Sequence, residues 1–313
     1  MKSSAIANTN IAVIKYWGKY EVARNLPAVG SLSLTLDGIG TTTTVESARE
    51  DSFTLGGEPA DSTRVFEFLD VIAKEFGVKR EPMRVTSVNT VPTASGLASS
   101  ASAFCALAAA ATRAMDLELS HRELSAMARR GSASAARSVF GDFVKLPASH
   151  GAEVFAEPLA QWDVRLVVAR TTDKQKSVPS RSGMQHTADT STYYPAWLSS
   201  WKQDYDRGHA AILAKDLTAL GEAMEHSTLA FHATTMVARP PFLYWNGATV
   251  ECIHAVWAMR ERGIAAYWTA DAGPHVKVLC APEDAERVAQ TMQSIAGVID
   301  VRTHAPGVGV MWL

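Results

Sequence analysis

Cysteine and long hydrophobic runs are both scarce in this 313-residue chain. Its three cysteines, Cys105, Cys252 and Cys280, are far apart and lack the spacing of metal ligands. They argue against a disulfide framework or a zinc site, and we expect them to be core residues in a reducing compartment. The longest apolar stretch, 103–111, is about half of the ~20 residues that cross a bilayer. We expect no secretory signal after Met1 and a cytoplasmic location.

An excess of charge of either sign is also missing. The chain has 30 Lys and Arg against 32 Asp and Glu, a formal net charge of -2. This balance argues against a protein that binds a polyphosphate backbone through bulk charge, because such binders carry a basic surface. It allows a small anion that is held by a few cations and backbone amides. The length favours two domains, which we place at 1–160 and 161–313.

Strands and helices alternate in both halves, with glycine and proline between them. In the first half we expect strands at 41–45 and 83–88 and helices at 61–77, 101–115 and 121–131, the last one starting at a capping box of Ser120 and Glu123. In the second half we expect strands at 164–169, 264–270, 275–280 and 307–312 and helices at about 208–225, 247–262 and 282–296. The polar stretch 171–192 has no clear periodicity, and we expect a mobile lid there.

The segment 91–100, Val-Pro-Thr-Ala-Ser-Gly-Leu-Ala-Ser-Ser, joins a predicted strand to a predicted helix. A helix N-terminus binds anions through its unpaired N–H groups and its dipole, and small side chains let a phosphate approach the backbone. Serine is also a common N-cap, so phosphate binding and simple capping both fit the pattern. The segment has neither the lysine of a Walker motif nor the glycines of a dinucleotide-binding turn.

Three further segments place a charged residue beside small or apolar ones. Lys15 and Lys19 flank an aromatic pair after an apolar strand, so Lys15 either points inward or snorkels from an edge strand. Arg137 follows Ser134 by about one helical turn, which fits an anion-binding fork or a surface arginine. Asp271 ends an apolar strand before Gly-Pro, which fits an active-site acid or a turn cap.

Together these segments resemble the mevalonate diphosphate decarboxylases, a family of the GHMP kinase superfamily. The resemblance rests on the order N-I-A-x-I-K-Y-W-G-K, P-T-A-S-G-L-A-S-S-A, G-S-A-S-A-x-R-S and D-A-G-P, and runs from Asn10 to Pro274. The pieces Lys-Tyr-Trp-Gly-Lys and Asp-Ala-Gly-Pro are distinctive of the decarboxylases. The serine-rich loop is shared with the related kinases.

The resemblance implies an α+β fold, in which a domain like domain 2 of ribosomal protein S5 precedes a ferredoxin-like C-terminal domain. The active site would lie in the cleft between the two domains. The implied reaction converts mevalonate 5-diphosphate and ATP, with Mg²⁺, into isopentenyl diphosphate, ADP, phosphate and CO₂ for isoprenoid biosynthesis. The expected partner is a small-molecule substrate, without nucleic acid or membrane, and the expected assembly is a homodimer, the commonest one for enzymes of this size.

The same resemblance implies roles for individual residues. Asp271 matches the aspartate that orients or deprotonates the C3 hydroxyl, Lys15 matches the cation beside it, and Arg137 would grip the substrate carboxylate. The positions that match the mevalonate and diphosphate site are Tyr16, Lys19, Ser132, Ser134, Arg181 and Met184. The positions that match the ATP and phosphate loop are Pro92, Gly96, Leu97, Ala98, Ser99, Ser100 and Ser102, with Ser99 and Ser100 as candidate Mg²⁺ ligands.

The chain departs from the family pattern at four positions. The family often has Gly at Ala133, Cys or a similar residue at Ala136, Gly at Asp142 and Asn at His275. An acid at Asp142 would disfavour phosphate unless its side chain faces away. His275 would either tune Asp271 or lie on the surface.

Other functions are compatible with parts of the pattern. The same mechanism could act on mevalonate 5-phosphate or 3,5-bisphosphate, but the cations Lys19 and Arg181 favour the diphosphate. A kinase of the same superfamily would stop at a phosphorylated product, whereas the pair of Lys15 and Asp271 favours decarboxylation. A non-catalytic small-molecule binder on the same fold is the third alternative.

Overall fold

The computed structural model describes residues 1–90, 99–174 and 177–313, with only the backbone of Ser99. Four predicted phosphate-loop positions, Pro92, Gly96, Leu97 and Ala98, lie outside the described residues. The described strands are β1 (Lys2–Ile14), β2 (Lys19–Glu21), β3 (Leu26–Pro27), β4 (Ser31–Ser47), β5 (Ser52–Leu55), β6 (Glu58–Pro59), β7 (Met83–Asn89), β8 (Phe143–Leu146), β9 (Glu157–Ala160), β10 (Arg165–Arg170), β11 (Ala266–Ala270), β12 (Val276–Cys280), β13 (Asp300–His304) and β14 (Met311–Trp312). The helices are α1 (Thr63–Phe76), α2 (Ser99–Ala114), α3 (His121–Gly131), α4 (Ser180–Thr190), α5 (Tyr194–Ala214), α6 (Leu217–Met236), α7 (Gly247–Glu261) and α8 (Ala285–Gln293), with 3-10 turns at Ala133–Val139 and Pro282–Asp284.

The first sheet is built on the long antiparallel pair of β1 and β4. Its strand order is β14-β1-β4-β7-β5-β6, and β8 pairs with β4 and carries β9. The alanine-rich helix α2 packs on this sheet together with α1 and α3, and its residues 106 and 108–111 are fully buried. Small alanine side chains let α2 approach the strands closely, and Ser102 in its first turn is within hydrogen-bond distance of Thr9 in β1.

The second sheet has the order β11-β12-β10-β13, and all of its pairings are antiparallel. One face packs on α7 and α8 through a core that includes Val256, Val278 and Val288. The opposite face shares a core with α5, α6 and the first sheet, in which Leu166 and Leu32 both take part. The helices α5 and α6 therefore lie between the two sheets and join the halves of the chain.

Most of the predicted helices and strands are confirmed, and so are the residues predicted to end α1 and to start α3. Gly77 ends α1 with φ 64°, a left-handed conformation that glycine adopts without strain. At the start of α3, Ser120 and Glu123 form both halves of the capping box. The three cysteines are buried, as expected. None of the described helices is both long enough and apolar enough to cross a membrane.

The structure differs from the predicted elements in several places. The stretch 171–192 contains the unpredicted helix α4, whose few buried residues leave too short an apolar period to recognise, and the lid expected there stays a prediction. The helix predicted at 208–225 is two helices, because Lys215 adopts φ 56° and the Asp216 carboxylate then caps α6 by accepting from the Ala219 N–H. The strand β13 was not predicted, and the strand expected at 307–312 is reduced to β14, which pairs with β1 in the first sheet.

Candidate active site

Lys15 lies directly after β1 and points into the protein. Its side chain is 3% exposed, and its Nζ donates to the Ala12 carbonyl oxygen and to Asp271 Oδ1, both at 2.8 Å. The inward orientation is therefore correct, and the snorkelling alternative is wrong. This ion pair joins the end of the first sheet to the end of β11 in the second.

The residues between the two lysines are held by close packing. Gly18 has φ 106°, and a Cβ on it would come within 2.1 Å of the Tyr194 hydroxyl oxygen. Trp17 donates through Nε1 to Thr187 Oγ1 at 2.8 Å, and its carbonyl oxygen accepts from Trp197 Nε1 at 2.8 Å. These contacts with α4 and α5 fix the turn that directs Lys15 and Lys19 to opposite ends of the site.

A second lysine contacts the same carboxylate. Lys277 lies in β12 opposite Thr269 of β11, its side chain is 1% exposed, and its Nζ is 3.0 Å from Asp271 Oδ2. Burial by itself raises the pKa of Asp271, but the ammonium groups of Lys15 and Lys277 outweigh it and hold this pKa well below its usual value. Sequence reasoning missed Lys277, although a lysine inside the apolar strand 276–280 was a usable signal.

Positive charge exceeds negative charge around Asp271. Burial lowers the pKa of Lys15 to about 8 against the opposing effect of Asp271, and Lys277 and Arg137 lower it further. The neighbouring His232 is fully buried, and burial together with Lys15 lowers its pKa to about 3, so it is neutral at physiological pH. We refer to Asp271, Lys15, Lys277 and Arg137 as the Asp271 cluster. Its three cations face one carboxylate, and such an imbalance favours binding of an anion.

The turn after Asp271 is fastened to neighbouring elements. The Pro274 carbonyl oxygen accepts from Thr171 Oγ1 at 3.0 Å and from Thr249 Oγ1 at 2.6 Å. His275 is buried, and its Nδ1 accepts from the Thr171 backbone N–H at 3.2 Å. His275 is therefore not a surface residue, and this contact holds the turn that carries Asp271.

Arg137 is also buried and lies in the 3-10 turn that follows α3. It donates through Nε to Asn10 Oδ1 at 3.1 Å and through Nη1 to Ser31 Oγ at 2.7 Å. The surface-arginine alternative is therefore wrong. Burial lowers the pKa of Arg137 to about 10, so the guanidinium keeps its charge at neutral pH. Sequence reasoning assigned no role to Asn10, whose Nδ2 also donates to the Ser134 carbonyl oxygen at 2.9 Å.

Polar groups lie between Arg137 and the surface. The hydroxyl oxygens of Ser132 and Ser134 are 3.2 Å apart. The Tyr16 hydroxyl is buried and has no hydrogen-bond partner among the described residues. Burial raises the pKa of Tyr16 above its usual value, although Arg137 and Arg181 both oppose this effect. An unsatisfied buried hydroxyl between two guanidinium groups is suited to donate to an anionic ligand.

The protein also has a basic cleft of about 700 Å³, one of whose cations, Arg181, interacts with Tyr16. Its cations are Lys19, Arg64 and Arg181, and Met184 contributes to its wall. Burial lowers the pKa of Lys19 to about 8, and Arg181 and Arg64 contribute to the shift. We refer to Lys19, Arg64 and Arg181 as the basic cleft. Sequence reasoning missed Arg64, because a lone arginine in the first turn of α1 belongs to no motif.

The hydroxyls at the start of α2 differ in their surroundings. Ser100 is exposed in the first turn of the helix. Ser102 is 1% exposed and turned toward the sheet, where its Oγ accepts from Thr9 Oγ1 at 3.2 Å and is 2.9 Å from Thr41 Oγ1. This placement favours a packing role for Ser102, whereas Ser100 stays available to a ligand.

Asp142 does not contact the residues described above. Its φ of 55° is in the left-handed region, which explains why glycine suits this position and why aspartate is tolerated. Its carboxyl group interacts with Gln161, and its backbone N–H donates to the Gly307 carbonyl oxygen at 2.9 Å. This acid therefore gives no reason to doubt an anion site around Arg137.

Comparisons with known proteins agree with this arrangement. The family model of the diphosphomevalonate decarboxylase-like N-terminal domain matches residues 7–156, and that of the mevalonate 5-diphosphate decarboxylase C-terminal domain matches residues 166–305. The chain belongs to the mevalonate diphosphate decarboxylase family. This result confirms the family and the α+β fold that the sequence motifs implied.

Relatives and solved structures match over almost the whole chain. The diphosphomevalonate decarboxylase of Candida albicans is 33% identical, covering 97% of this chain and 90% of that protein. The crystal structure of the Staphylococcus aureus mevalonate diphosphate decarboxylase has a TM-score of 0.94 and 35% identity, covering 100% of this chain and 98% of that one. The structure of MDDEF in complex with MVAPP, AMPPCP and magnesium has a TM-score of 0.94 and 39% identity, covering 100% of this chain and 99% of that one.

Proposed function

We propose that this chain catalyses the ATP-dependent decarboxylation of mevalonate 5-diphosphate. The products are isopentenyl diphosphate, ADP, phosphate and CO₂. The observation that carries the proposal is the Asp271 cluster, in which one ionised carboxylate and three buried cations lie where the two sheets meet. Membership of the family supports it, because a member of similar structure binds MVAPP, AMPPCP and magnesium.

Asp271 orients the tertiary C3 hydroxyl of the substrate toward the γ-phosphorus of ATP. The bond between the C3 oxygen and this phosphorus forms as the bond to the ADP leaving group breaks, and the hydroxyl proton passes to an oxygen of the transferred phosphoryl group. With its pKa held low by two lysines, the carboxylate is a weak base and acts mainly as a hydrogen-bond acceptor. Phosphoryl transfer depends chiefly on positioning and on neutralisation of charge, so a weakly basic orienting group suits this step. Lys15 supplies positive charge next to the transferred group.

Arg137 binds the substrate carboxylate with its remaining donors, while Asn10 and Ser31 hold the guanidinium in place. In the second step the C3–O bond breaks and phosphate leaves. The electrons of the bond to the carboxylate carbon form the new C=C bond, and that carbon departs as CO₂. Tyr16, Ser132 and Ser134 line the path between this carboxylate and the basic cleft.

The basic cleft binds the 5-diphosphate. Lys19 is pre-positioned by Asn25, whose Oδ1 accepts from Lys19 Nζ at 2.6 Å. Three cations around one end of the substrate favour a diphosphate, which carries more charge than a monophosphate. Met184 forms an apolar wall for the carbon chain.

ATP binds at the start of α2, where the helix amides are available to the phosphates and the exposed Ser100 is a candidate ligand for Mg²⁺. Ser99 is assigned to Mg²⁺ on the resemblance alone. When bound, Mg²⁺ neutralises charge on the phosphate chain. The described residues contain no group of three His, Cys, Asp or Glu side chains that could hold a metal ion. The exposed Ser100 hydroxyl fits Mg²⁺, which commonly binds through substrate phosphates, water and one or two protein oxygens. The other loop residues, Pro92, Gly96, Leu97 and Ala98, are assigned to ATP on the resemblance alone.

We place the domain boundary between 160 and 161, before the first strand of the second sheet, and add β14 to the N-terminal domain on its pairing with β1. The proposed assembly is a homodimer, and light scattering would give twice the chain mass of 33.7 kDa. A cytoplasmic location is supported by the three buried free thiols.

The proposed reaction is tested by incubating the protein with ATP and Mg²⁺ and, separately, with mevalonate, its 5-phosphate or its 5-diphosphate. We expect equal amounts of ADP and CO₂ with the 5-diphosphate. Formation of ADP without CO₂ would identify a kinase. Formation of CO₂ from the 5-phosphate would show that the 5-phosphate is a substrate. No turnover with any of the three would favour a non-catalytic binder.

A further inference from the structure

Lys277 is a buried cation to which the mechanism above gives no separate task. Its neighbours in β12 are apolar, and a buried ammonium is unfavourable unless it is paired. Its partner is Asp271, which is already paired with Lys15. Both ammonium groups oppose the burial that raises the pKa of Asp271, but they do so at different oxygens of its carboxylate, so their roles need not be the same.

The two lysines reach Asp271 from different parts of the fold. Lys15 follows β1 of the first sheet and contacts Oδ1 at 2.8 Å. Lys277 lies on β12, which is hydrogen-bonded to β11, the strand that ends directly before Asp271, and it contacts Oδ2 at 3.0 Å. Lys277 thus belongs to the same sheet as Asp271, and its distance to the carboxylate does not depend on how closely the two sheets approach.

We propose that Lys277 is a positioning residue, which fixes the carboxylate plane of Asp271 from within its own sheet and leaves Lys15 to face the transferred phosphoryl group. This inference rests on the proposed function and adds a residue to it. The Lys277 ammonium forms an ion pair with Oδ2 at 3.0 Å, whereas Oδ1 accepts a hydrogen bond from Lys15 on the side of the substrate. Without Lys277 the carboxylate can rotate about its Cβ–Cγ bond, and the C3 hydroxyl loses its fixed acceptor.

The charges around Asp271 and Lys277 determine how the activity responds to pH. The groups that face Asp271 are Lys15 from the end of β1, Lys277 from β12, Arg137 from the 3-10 turn and the neutral His232 from α6. Removing the Lys277 charge raises the pKa of Asp271, because one of its two ammonium neighbours is lost. It also raises the pKa of Lys15, which Lys277 lowers. Both limbs of the profile of kcat against pH should therefore move to higher pH, since kcat at saturating substrate does not report the pKa of Lys19 in the free protein.

The test uses the full-length variant K277M, which keeps an unbranched side chain of nearly the same length and removes its charge. We expect kcat to fall about 10- to 100-fold, the loss of one charge-assisted contact to a reacting group, while KM for the 5-diphosphate changes by less than about threefold. Both pH limbs should move upward. The variant K277R, which keeps the charge, should leave the limbs in place.

A matched control is K145M, because Lys145 also lies in a strand and forms an ion pair, with Glu157 at 3.0 Å, away from the site. This variant should leave kcat and the pH profile unchanged. A second test is a double-mutant cycle that compares the wild type, K277M, D271N and D271N/K277M. If Lys277 acts through Asp271, the double variant D271N/K277M should have the kcat of D271N alone.

The thermal stability of the four proteins of this cycle (wild type, K277M, D271N and D271N/K277M) gives a readout that needs no activity. We expect the change in Tm caused by K277M to be more positive in D271N than in the wild type, because D271N leaves the buried ammonium without its carboxylate. Additive Tm changes, or K277M with a wild-type kcat, would overturn the proposal. If Lys277 had a merely structural role, K277M would lower kcat by the same factor in the wild type and in D271N, and the acid and basic limbs of the pH profile would not move. Absence of turnover in the wild type would refute the proposed function, while the Tm cycle would still decide whether the pair is coupled.

Discussion

The Lys15 ammonium and the Asp271 carboxylate are 2.8 Å apart although 256 positions separate them in the chain. Each residue comes from a different sheet, so the pair exists only when both domains are folded and packed together. The proposed reacting centre therefore forms only where the two sheets meet, and substitutions on either side should affect the same chemical step.

Asp271→Asn should lower kcat by about 10²- to 10⁴-fold, because an amide is a weaker acceptor for the C3 hydroxyl and its NH₂ group would face a lysine. ATP binding should stay close to that of the wild type. Single-turnover ADP formation and a nucleotide titration measure the two effects. Wild-type rates in this variant would remove Asp271 from the mechanism.

Activity should fall as the pH rises through about 8, the pKa to which burial lowers both Lys15 and Lys19. The sign follows from the charge: above this pH both ammonium groups lose the proton that makes them useful to an anionic substrate. A profile of kcat/KM against pH measures the limb. In K19M the limb should become less steep, because one of two titrating groups is gone. A profile that stays flat to about pH 10 would contradict the assignment of both lysines.

Arg137→Ala should reduce kcat at least as strongly as it weakens substrate binding. The guanidinium is held by Asn10 and Ser31 in one orientation, so it stabilises charge that changes as CO₂ forms. Separate values of kcat and KM distinguish the two roles. An increase in KM with unchanged kcat would assign Arg137 to substrate binding only.

Arg64→Ala should raise KM for the 5-diphosphate about tenfold, the effect of losing one charge-assisted contact, with little change in kcat. The loss should be smaller for the 5-phosphate, which has one phosphoryl group fewer to bind in the basic cleft. The matched control is Arg84→Ala, an exposed arginine that pairs with Glu46 at 3.0 Å in the first sheet. Equal effects of the two substitutions would exclude Arg64 from the diphosphate site.

Gly18→Ala should lower the free energy of unfolding by about 2 to 4 kcal/mol, because φ 106° is strained for alanine and the new methyl group would overlap the Tyr194 hydroxyl. Gly38→Ala is the control, since Gly38 has φ 75° but no atom lies within 4 Å of the place that a Cβ would take, and it should cost only about 1 to 2 kcal/mol. Urea unfolding measures both values. Adding Tyr194→Phe to Gly18→Ala should restore part of the loss, and no recovery would show that the overlap is not the cause.

Local patterns in the sequence were sufficient for much of this protein. Hydrophobic periodicity and capping residues predicted α1, α3 and α7, because such signals lie within one turn of the element that they define. The short motifs around Lys15, Arg137 and Asp271 identified the family, since the residues of each motif are adjacent in the chain. The net charge of -2 excluded a polyanion binder but could not reveal that three cations form the basic cleft.

Tertiary structure alone decided which of these residues meet. Lys277 reaches Asp271 through the register of β11 and β12, and Arg64 enters the basic cleft through the packing of α1, so neither contact has a local signature. Burial decided the inward orientation of Lys15 and Arg137, which the sequence left open. The physical reason is the same in each case: a pKa, an ion pair or a cleft depends on distances between segments that are far apart in the chain, and only the folded packing sets those distances.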